Sequence, residues 1–384
     1  MKLLSLYLSD AEFSSYFLFF NLGMYLASLL FGLQASIVLR YTPIIGANKV
    51  SAISHTISMV SLFIIFIICI AALLFVSYIV ILSIGLLVLS LGLNSIQQGK
   101  LRISQKFTKV LLFVFIQVAV SLSLFVVFRD FLSTELSLFL VSLSFLLPVV
   151  MMGDKIHLHA KLDVKKRLKL LRDHNEALRY AAPILLIGLS NFMMSSLDQY
   201  FLNYLGHKDE LSAYIANYNI AEKSVFVILS VITLVFVPSI FNRHKKLTMN
   251  TFKDIFTVEI YFIVISLFAV VFVSHFSKNL TAILTSSQYV THSWIIPYIA
   301  GGALLLGINS LLSEVLTVQY KSKLVLVCYL IGLACNIILN AIFIREYGVP
   351  GAITTTLFSY LVTLLATIYF VRKEYLNLTA VNNG

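Results

Sequence analysis

Residues 154 to 179 read DKIHLHAKLDVKKRLKLLRDHNEALR. Lys155, Lys161, Lys165, Lys166, Arg167, Lys169, Arg172 and Arg179 face only Asp154, Asp163, Asp173 and Glu176, and the chain on either side is almost uniformly apolar. Short loops rich in Lys and Arg stay on the cytoplasmic side of a membrane, so this island is expected to be a cytoplasmic linker, and the orientation of every other segment follows from it. Val164, Leu168, Leu171 and Leu178 recur at helical spacing. Part of the island therefore fits an amphipathic helix on the anionic inner leaflet as well as it fits a solvated connector.

Composition sets the class. Hydrophobic residues make up 59% and charged residues 12% of the 384 positions, whereas soluble domains are about a quarter charged. The expected fold is an all-α polytopic membrane protein. The formal charge of +11 does not point to nucleic acid, because the cations sit in loops between apolar runs and not on one folded face. Cys69, Cys328 and Cys335 all fall inside apolar runs without metal or redox spacing, so no metal site and no cofactor is expected.

A bilayer core about 30 Å thick needs roughly 20 apolar residues per helix. On that ruler spans are expected near residues 13–33, 53–74, 76–93, 110–127 and 136–152 before the island, and near 181–202, 214–237, 257–275, 294–316, 324–344 and 349–370 after it. Residues 50 to 99 lack Asp, Glu, Lys and Arg, twice what one crossing needs, which predicts a hairpin turning near Ser77. The eleven spans divide the chain into a first bundle (1–153), the linker (154–180) and a second bundle (181–384). One alternating set of loops holds 22 of the 28 Lys and Arg residues. That bias predicts a cytoplasmic C-terminus and, with eleven spans, an N-terminus on the outer side of the membrane.

The two bundles resemble each other. Tyr7-Leu8 followed by Glu12, Ser14, Tyr16 and Asn21 returns as Tyr204-Leu205 followed by Glu210, Ser212, Tyr214 and Asn219. Gly92-Leu93-Asn94-Ser95 returns as Gly307-Ile308-Asn309-Ser310, and Arg129-Asp130-Phe131 as Arg345-Glu346-Tyr347. Matched spans run in the same direction, so the repeat is parallel. A full span precedes Tyr204 but only six residues precede Tyr7, which predicts that the first helix of a twelve-helix plan is missing from this chain.

Pro183, Ser195 to Tyr200, Tyr204-Leu205-Gly206, Ala213-Tyr214, Asn336-Ile337-Ile338-Leu339-Asn340 and Tyr347-Gly348-Val349-Pro350-Gly351-Ala352 together resemble the Wzx-like polysaccharide repeat-unit flippases. These belong to the multidrug/oligosaccharidyl-lipid/polysaccharide exporter superfamily. The resemblance implies two bundles around a central cavity and no covalent chemistry. It implies alternating-access flipping of an undecaprenyl-pyrophosphate-linked glycan for O-antigen or capsule assembly. The partners it implies are that lipid-linked glycan, membrane lipids, and a polysaccharide polymerase with its chain-length regulator. A cation-coupled multidrug or small-molecule exporter of the same superfamily is the alternative, which would favour acidic residues over a buried Lys. A membrane-embedded polysaccharide polymerase or transferase would need a long polar outer loop, and every expected outer loop is short.

Ionisable groups within spans are costly and by default mark a pathway. Asp198 lies toward the outer end of its span, Glu222 and Lys223 near the middle of theirs, Glu314 toward a cytoplasmic end, and Arg40 at the cytoplasmic end of the first. Glu222 and Lys223 read either as a transport pair or as mutual structural neutralisation, and Asp198 and Glu314 either as path residues or as groups reaching interfacial water. Their equivalents in the first bundle are Met24 and Tyr25 for Glu222 and Lys223, so the bundle itself does not require that pair. A pyrophosphate would call for cations such as Lys223 and Arg40. The amides Asn191, Asn219, Gln117, Asn309, Asn336 and Asn340 suit sugar hydroxyls but equally well bridge packed helices.

Overall fold

The computed structural model describes residues 1–45, 53, 56–65, 67, 77–103, 107–152, 175–243, 248–319 and 321–383. Among these residues every regular element is helical. In chain order they are α1 (Lys2–Tyr7), α2 (Asp10–Ile45), α3 (Thr56–Ile65), α4 (Tyr78–Ile103), α5 (Phe107–Val127), α6 (Thr134–Met152), α7 (Asn175–Tyr204), α8 (Lys208–Arg243), α9 (Met249–His275), α10 (Ser277–Leu284), α11 (Ile296–Val318), α12 (Ser322–Tyr347) and α13 (Val349–Asn383). Short 3-10 segments lie at Arg129–Phe131 and Ser287–Ile295. Nine helices among the described residues are long and apolar enough to cross a membrane. With the shorter apolar α3 and the more polar α7, each of the eleven expected spans coincides with a helical segment. Phe268 at 75% exposed, Leu111 at 71% and Leu82 at 72% stand on the outsides of these helices; lipid is the solvent such surfaces fit.

Ser77 is non-helical and α4 starts at Tyr78 directly after it; residues 68–76, and with them the expected hairpin turn, lie outside the described residues. Residues 153–174 lie outside the described residues, and with them the amphipathic-helix expectation and His157, His159 and His174; His55 does too. By Asn175 the chain is helical.

Two compact units result: Tyr7–Leu189, and Ser190–Gly384 together with Met1–Leu6. The division therefore falls inside α7 and not at residue 181, and the first six residues go with the second unit. Packing explains both. In the first unit Leu185 of α7 sits so close to Gly32 of α2 that a Cβ there would meet it at 2.8 Å. In the second unit the Lys2 ammonium donates to the carbonyls of Ala282 at 2.7 Å and Thr285 at 2.5 Å, at the C-terminus of α10, where a helix favours a cation.

Within the first unit α2 packs on α4, α4 on α6 and α5 on α6. Within the second, α8 packs on α11, α11 on α13 and α12 on α13, the same pairings in the same order. The repeated residues do matching work. Gly92 receives the ring of Phe31, and Gly307 that of Phe262; a Cβ at either would meet a ring carbon at 2.3 Å. Asn94 donates to the Phe145 carbonyl of α6 at 3.3 Å, while Asn309 accepts from Thr367 of α13 at 2.6 Å. Tyr7 ends α1 as Tyr204 ends α7, and the Arg129 and Arg345 motifs both close the last span but one of their bundle. Ser9 and Glu12 form a reciprocal cap at the start of α2, with Ser9 N–H on Glu12 Oε2 at 3.1 Å and Glu12 N–H on Ser9 Oγ at 3.4 Å.

The motif Tyr347 to Ala352 turns the chain between α12 and α13. Gly348 has φ +58°, a conformation other residues rarely adopt. Pro350 occupies the first turn of α13, where its missing N–H costs nothing. Gly351 abuts the α12 backbone.

The α10 segment is held by one residue of α8. Asn217, fully buried, donates to the carbonyls of Ala213 at 2.9 Å and Tyr289 at 3.0 Å and accepts from the Thr281 hydroxyl at 2.7 Å. Asn217→Ala removes the bonds that tie Thr281 and the Tyr289 carbonyl to α8, an expected loss of about 1–3 kcal/mol. Thermal unfolding in detergent would register it as a lower midpoint; an unchanged midpoint would show the segment to be anchored elsewhere.

Candidate ion site in the second unit

Asp198 lies one and a half turns from the end of α7 and is fully buried. Its carboxylate accepts from the Tyr214 hydroxyl of α8 at 2.5 Å, from the Thr356 hydroxyl of α13 at 3.2 Å and from the backbone N–H of Gln199 at 2.7 Å. All three donors are neutral. Among the described residues no Lys, Arg or His lies within ion-pairing distance of it. Asp198 thus lies in the interior of the second unit with its carboxylate on protein donors.

From Asp198 a line of ionisable and phenolic groups follows one face of α8. Tyr214, Tyr218 and Glu222 are spaced four apart, so they stack on a single stripe, and each is at most 7% exposed. The Tyr214 and Tyr218 rings lie 5.6 Å apart, and the Tyr218 hydroxyl stands 3.4 Å from that of Tyr360 on α13.

Glu222 and Lys223 divide the roles that their neighbouring positions allow. Glu222 points inward; the Lys223 side chain is 65% exposed and its ammonium reaches Glu222 Oε2 at 3.3 Å. Glu314 is partly buried one turn before the end of α11. The backbone of Arg40 is helical, but its side chain falls outside the description. Asn219 Nδ2 donates to the Ile215 carbonyl of its own helix at 2.9 Å, and Asn191 Oδ1 is buried without a partner. The remaining amides bridge: Gln117 accepts from Asn94 at 3.3 Å, Asn340 donates to Asn336 at 3.0 Å, and Thr355 donates to Asn340.

Two features escaped the sequence reading. Glu259 on α9 is 6% exposed with Oε2 unpartnered; its signal was visible, as the sole acidic residue between Thr257 and His275. The second is the hydroxyl ladder Thr355, Ser359, Thr363 and Thr367 of α13, every member at most 1% exposed, legible as an exact spacing of four.

No protein-family profile matches the chain, and no curated protein does. Solved structures do. An inward-facing multidrug resistance MATE family transporter of the MOP superfamily aligns with a TM-score of 0.68 over 99% of this chain and 93% of its own, at 16% identity. This chain has the MATE transporter fold. A MATE protein in a bent conformation aligns with a TM-score of 0.67 over 100% of this chain and 91% of its own, at 14% identity. A MOP superfamily transporter from Pyrococcus furiosus, described as having a binding pocket of reverse polarity that suggests a different function, aligns with a TM-score of 0.64 over 98% and 90% of the two chains, at 14% identity. The all-helical, two-bundle fold expected from the sequence thus agrees with these structures.

Proposed function

We propose that this chain is an alternating-access transporter of the cytoplasmic membrane that exports a small organic solute against a cation taken up at Asp198. The observation that carries the reading is the Asp198 carboxylate, fully buried and bound only by neutral donors. A buried carboxylate without a paired cation is expensive. A proton or a bound monovalent cation removes that cost, and its departure restores it, so occupancy of the site and the state of the bundle are coupled. Tyr214 and Thr356 donate to the ionised carboxylate and reorient when it is neutral, since a hydroxyl both donates and accepts.

A second reading, flipping of an undecaprenyl-pyrophosphate-linked glycan, keeps one specific observation in its favour. Lys223 lies mid-way along a membrane-length helix with most of its side chain exposed, and an exposed ammonium at that depth belongs beside water or an anion. In this reading Lys223 meets the pyrophosphate, with Arg40 near the cytoplasmic entry. The Pyrococcus protein of similar fold is described as having a binding pocket of reverse polarity that suggests a different function, so the fold by itself does not choose between the two readings.

Reconstituted vesicles separate the two. Under an imposed proton or sodium gradient the first reading expects accumulation of a fluorescent organic cation, and Lys223→Gln to leave it within about twofold, since an exposed pair contributes little. The flippase reading expects no cation accumulation, translocation of a lipid-pyrophosphate glycan, and loss of that translocation in Lys223→Gln. Glycan translocation without dye transport would overturn the exporter reading.

A further inference from the structure

We propose that the buried seam of hydroxyls and amides between α12 and α13 is the route by which protons pass between Asp198 and the end of the second unit where α11 meets α12. The proposal rests on the coupling role of Asp198 and adds the path that serves it. At its upper end Thr356 donates to Asp198 at 3.2 Å. Its neighbour Thr355 begins the ladder, donating to Asn340 of α12. Ser359 and Thr363 follow at steps of four residues, each donating to the carbonyl one turn back at 2.6 and 2.8 Å. Thr367 closes the ladder, donating to Asn309 of α11 at 2.6 Å. The ladder is about 18 Å long at 1.5 Å per residue. Beyond it, toward the same end, lie Glu314 on α11 and the Lys321–Glu374 ion pair at 2.7 Å.

Two observations set this seam apart from ordinary bridging. Asn336, fully buried, accepts from Asn340 at 3.0 Å through Oδ1, while its Nδ2 has no partner among the described residues. A donor left over in a dry interior asks for an acceptor, and in a polar seam that acceptor is a water molecule. Gly332, one turn before Asn336, stands opposite Thr363 so closely that a Cβ would fall 1.8 Å from the Thr363 hydroxyl. A side chain there would displace the hydroxyl at the middle of the ladder. Helix adhesion uses a glycine at such a contact but not an unsatisfied amide, whereas a relay uses hydroxyls able both to donate and to accept and a group that holds water between them. The proton that leaves the Asp198 carboxyl passes to water and hydroxyls of the seam, leaving a carboxylate that Tyr214, Thr356 and Gln199 N–H stabilise. Glu222, Tyr218 and Tyr360 are the other titratable groups on the helices facing it.

The test follows hydrogen–deuterium exchange of the Asp198 carboxyl by infrared difference spectroscopy on the whole protein in lipid, the band assigned by its disappearance in Asp198→Asn. Thr363→Val and Asn336→Leu, near in shape and apolar, are expected to slow exchange at least about tenfold, with Thr363→Ser at the wild-type rate. Thr354→Val, altering an exposed hydroxyl on the opposite face of α13, leaves it unchanged. Wild-type exchange in both Thr363→Val and Asn336→Leu overturns the route and leaves Asp198 as the coupling site. No carboxyl band lost in Asp198→Asn overturns the coupling reading together with its route. Slow exchange in Thr363→Ser as well assigns the effect to packing and also overturns the route.

Discussion

Asp198→Asn reduces gradient-driven transport to the level of empty vesicles without lowering stability. The amide has nearly the volume of the carboxyl and retains an oxygen to accept from Tyr214 and Thr356, so the packing of α7, α8 and α13 around it survives. It holds neither a proton nor a monovalent cation as a carboxylate does, and the coupling step is lost. Stability should move the other way. Replacing an unpaired buried charge by a neutral group of the same shape removes its desolvation cost, which outweighs the loss of the Gln199 N–H bond to the oxygen that becomes the amide nitrogen. A structural role for Asp198 predicts the opposite pair of results, a lower unfolding midpoint and transport reduced only in proportion to folded protein. Exchange of substrate across the vesicle membrane without a gradient provides the second measurement, since a path that is intact but uncoupled still exchanges. Gradient-driven transport in Asp198→Asn within about twofold of wild type would remove Asp198 from the mechanism.

Gly351→Ala should be the most damaging single methyl addition in the second unit. A Cβ at Gly351 would stand 2.4 Å from the Phe343 carbonyl oxygen and 2.7 Å from its carbon. Both are backbone atoms of α12 and cannot rotate aside as a side chain does. Overpacking of this kind costs about 1–3 kcal/mol and occasionally more; with backbone as the obstacle the upper end is expected. Relieving it means moving α12 away from α13, which would also part Thr355 from Asn340. Gly301→Ala in α11 and Gly188→Ala in α7 are the controls. Neither Cβ would meet a heavy atom within 4 Å, and in a helix interior the exchange gains about 0.5–1 kcal/mol from the smaller conformational entropy loss. Unfolding midpoints of the three variants in the same detergent test this directly. A Gly351→Ala midpoint equal to that of Gly301→Ala would show that the α12–α13 corner has slack that its geometry does not suggest.

The spans were legible because membrane helices answer to a local rule. Each must satisfy its own backbone hydrogen bonds and present about 20 apolar residues to lipid, and both requirements are written in consecutive residues. That is why eleven expected spans fall on helical segments and why Ser77 marks a break. The parallel repeat was legible for a related reason. Gly92 and Gly307 each admit an aromatic ring from a neighbouring helix, and Asn94 and Asn309 each join their own helix to the last helix of their bundle, so similar packing tasks go with the same residue types at matching places.

What the sequence did not decide is which polar residues meet. Asp198 and Thr356 are separated by 158 positions, and no periodicity within α7 or α13 says that one will donate to the other. Glu222 and Lys223, adjacent in the chain, looked equally able to enter a transport path; side-chain direction about the α8 axis buries one and exposes the other. The division of the chain inside α7 was also hidden, because Leu185 belongs with Gly32 only once α2 and α7 are packed. Sequence alone determined the class, the spans and the repeat, each of which depends on composition within reach of one helix. Tertiary structure alone decided the ion site, the α12–α13 seam and the role of each charged residue, because those depend on the rotation of each helix about its own axis, which is set by the neighbours it packs against.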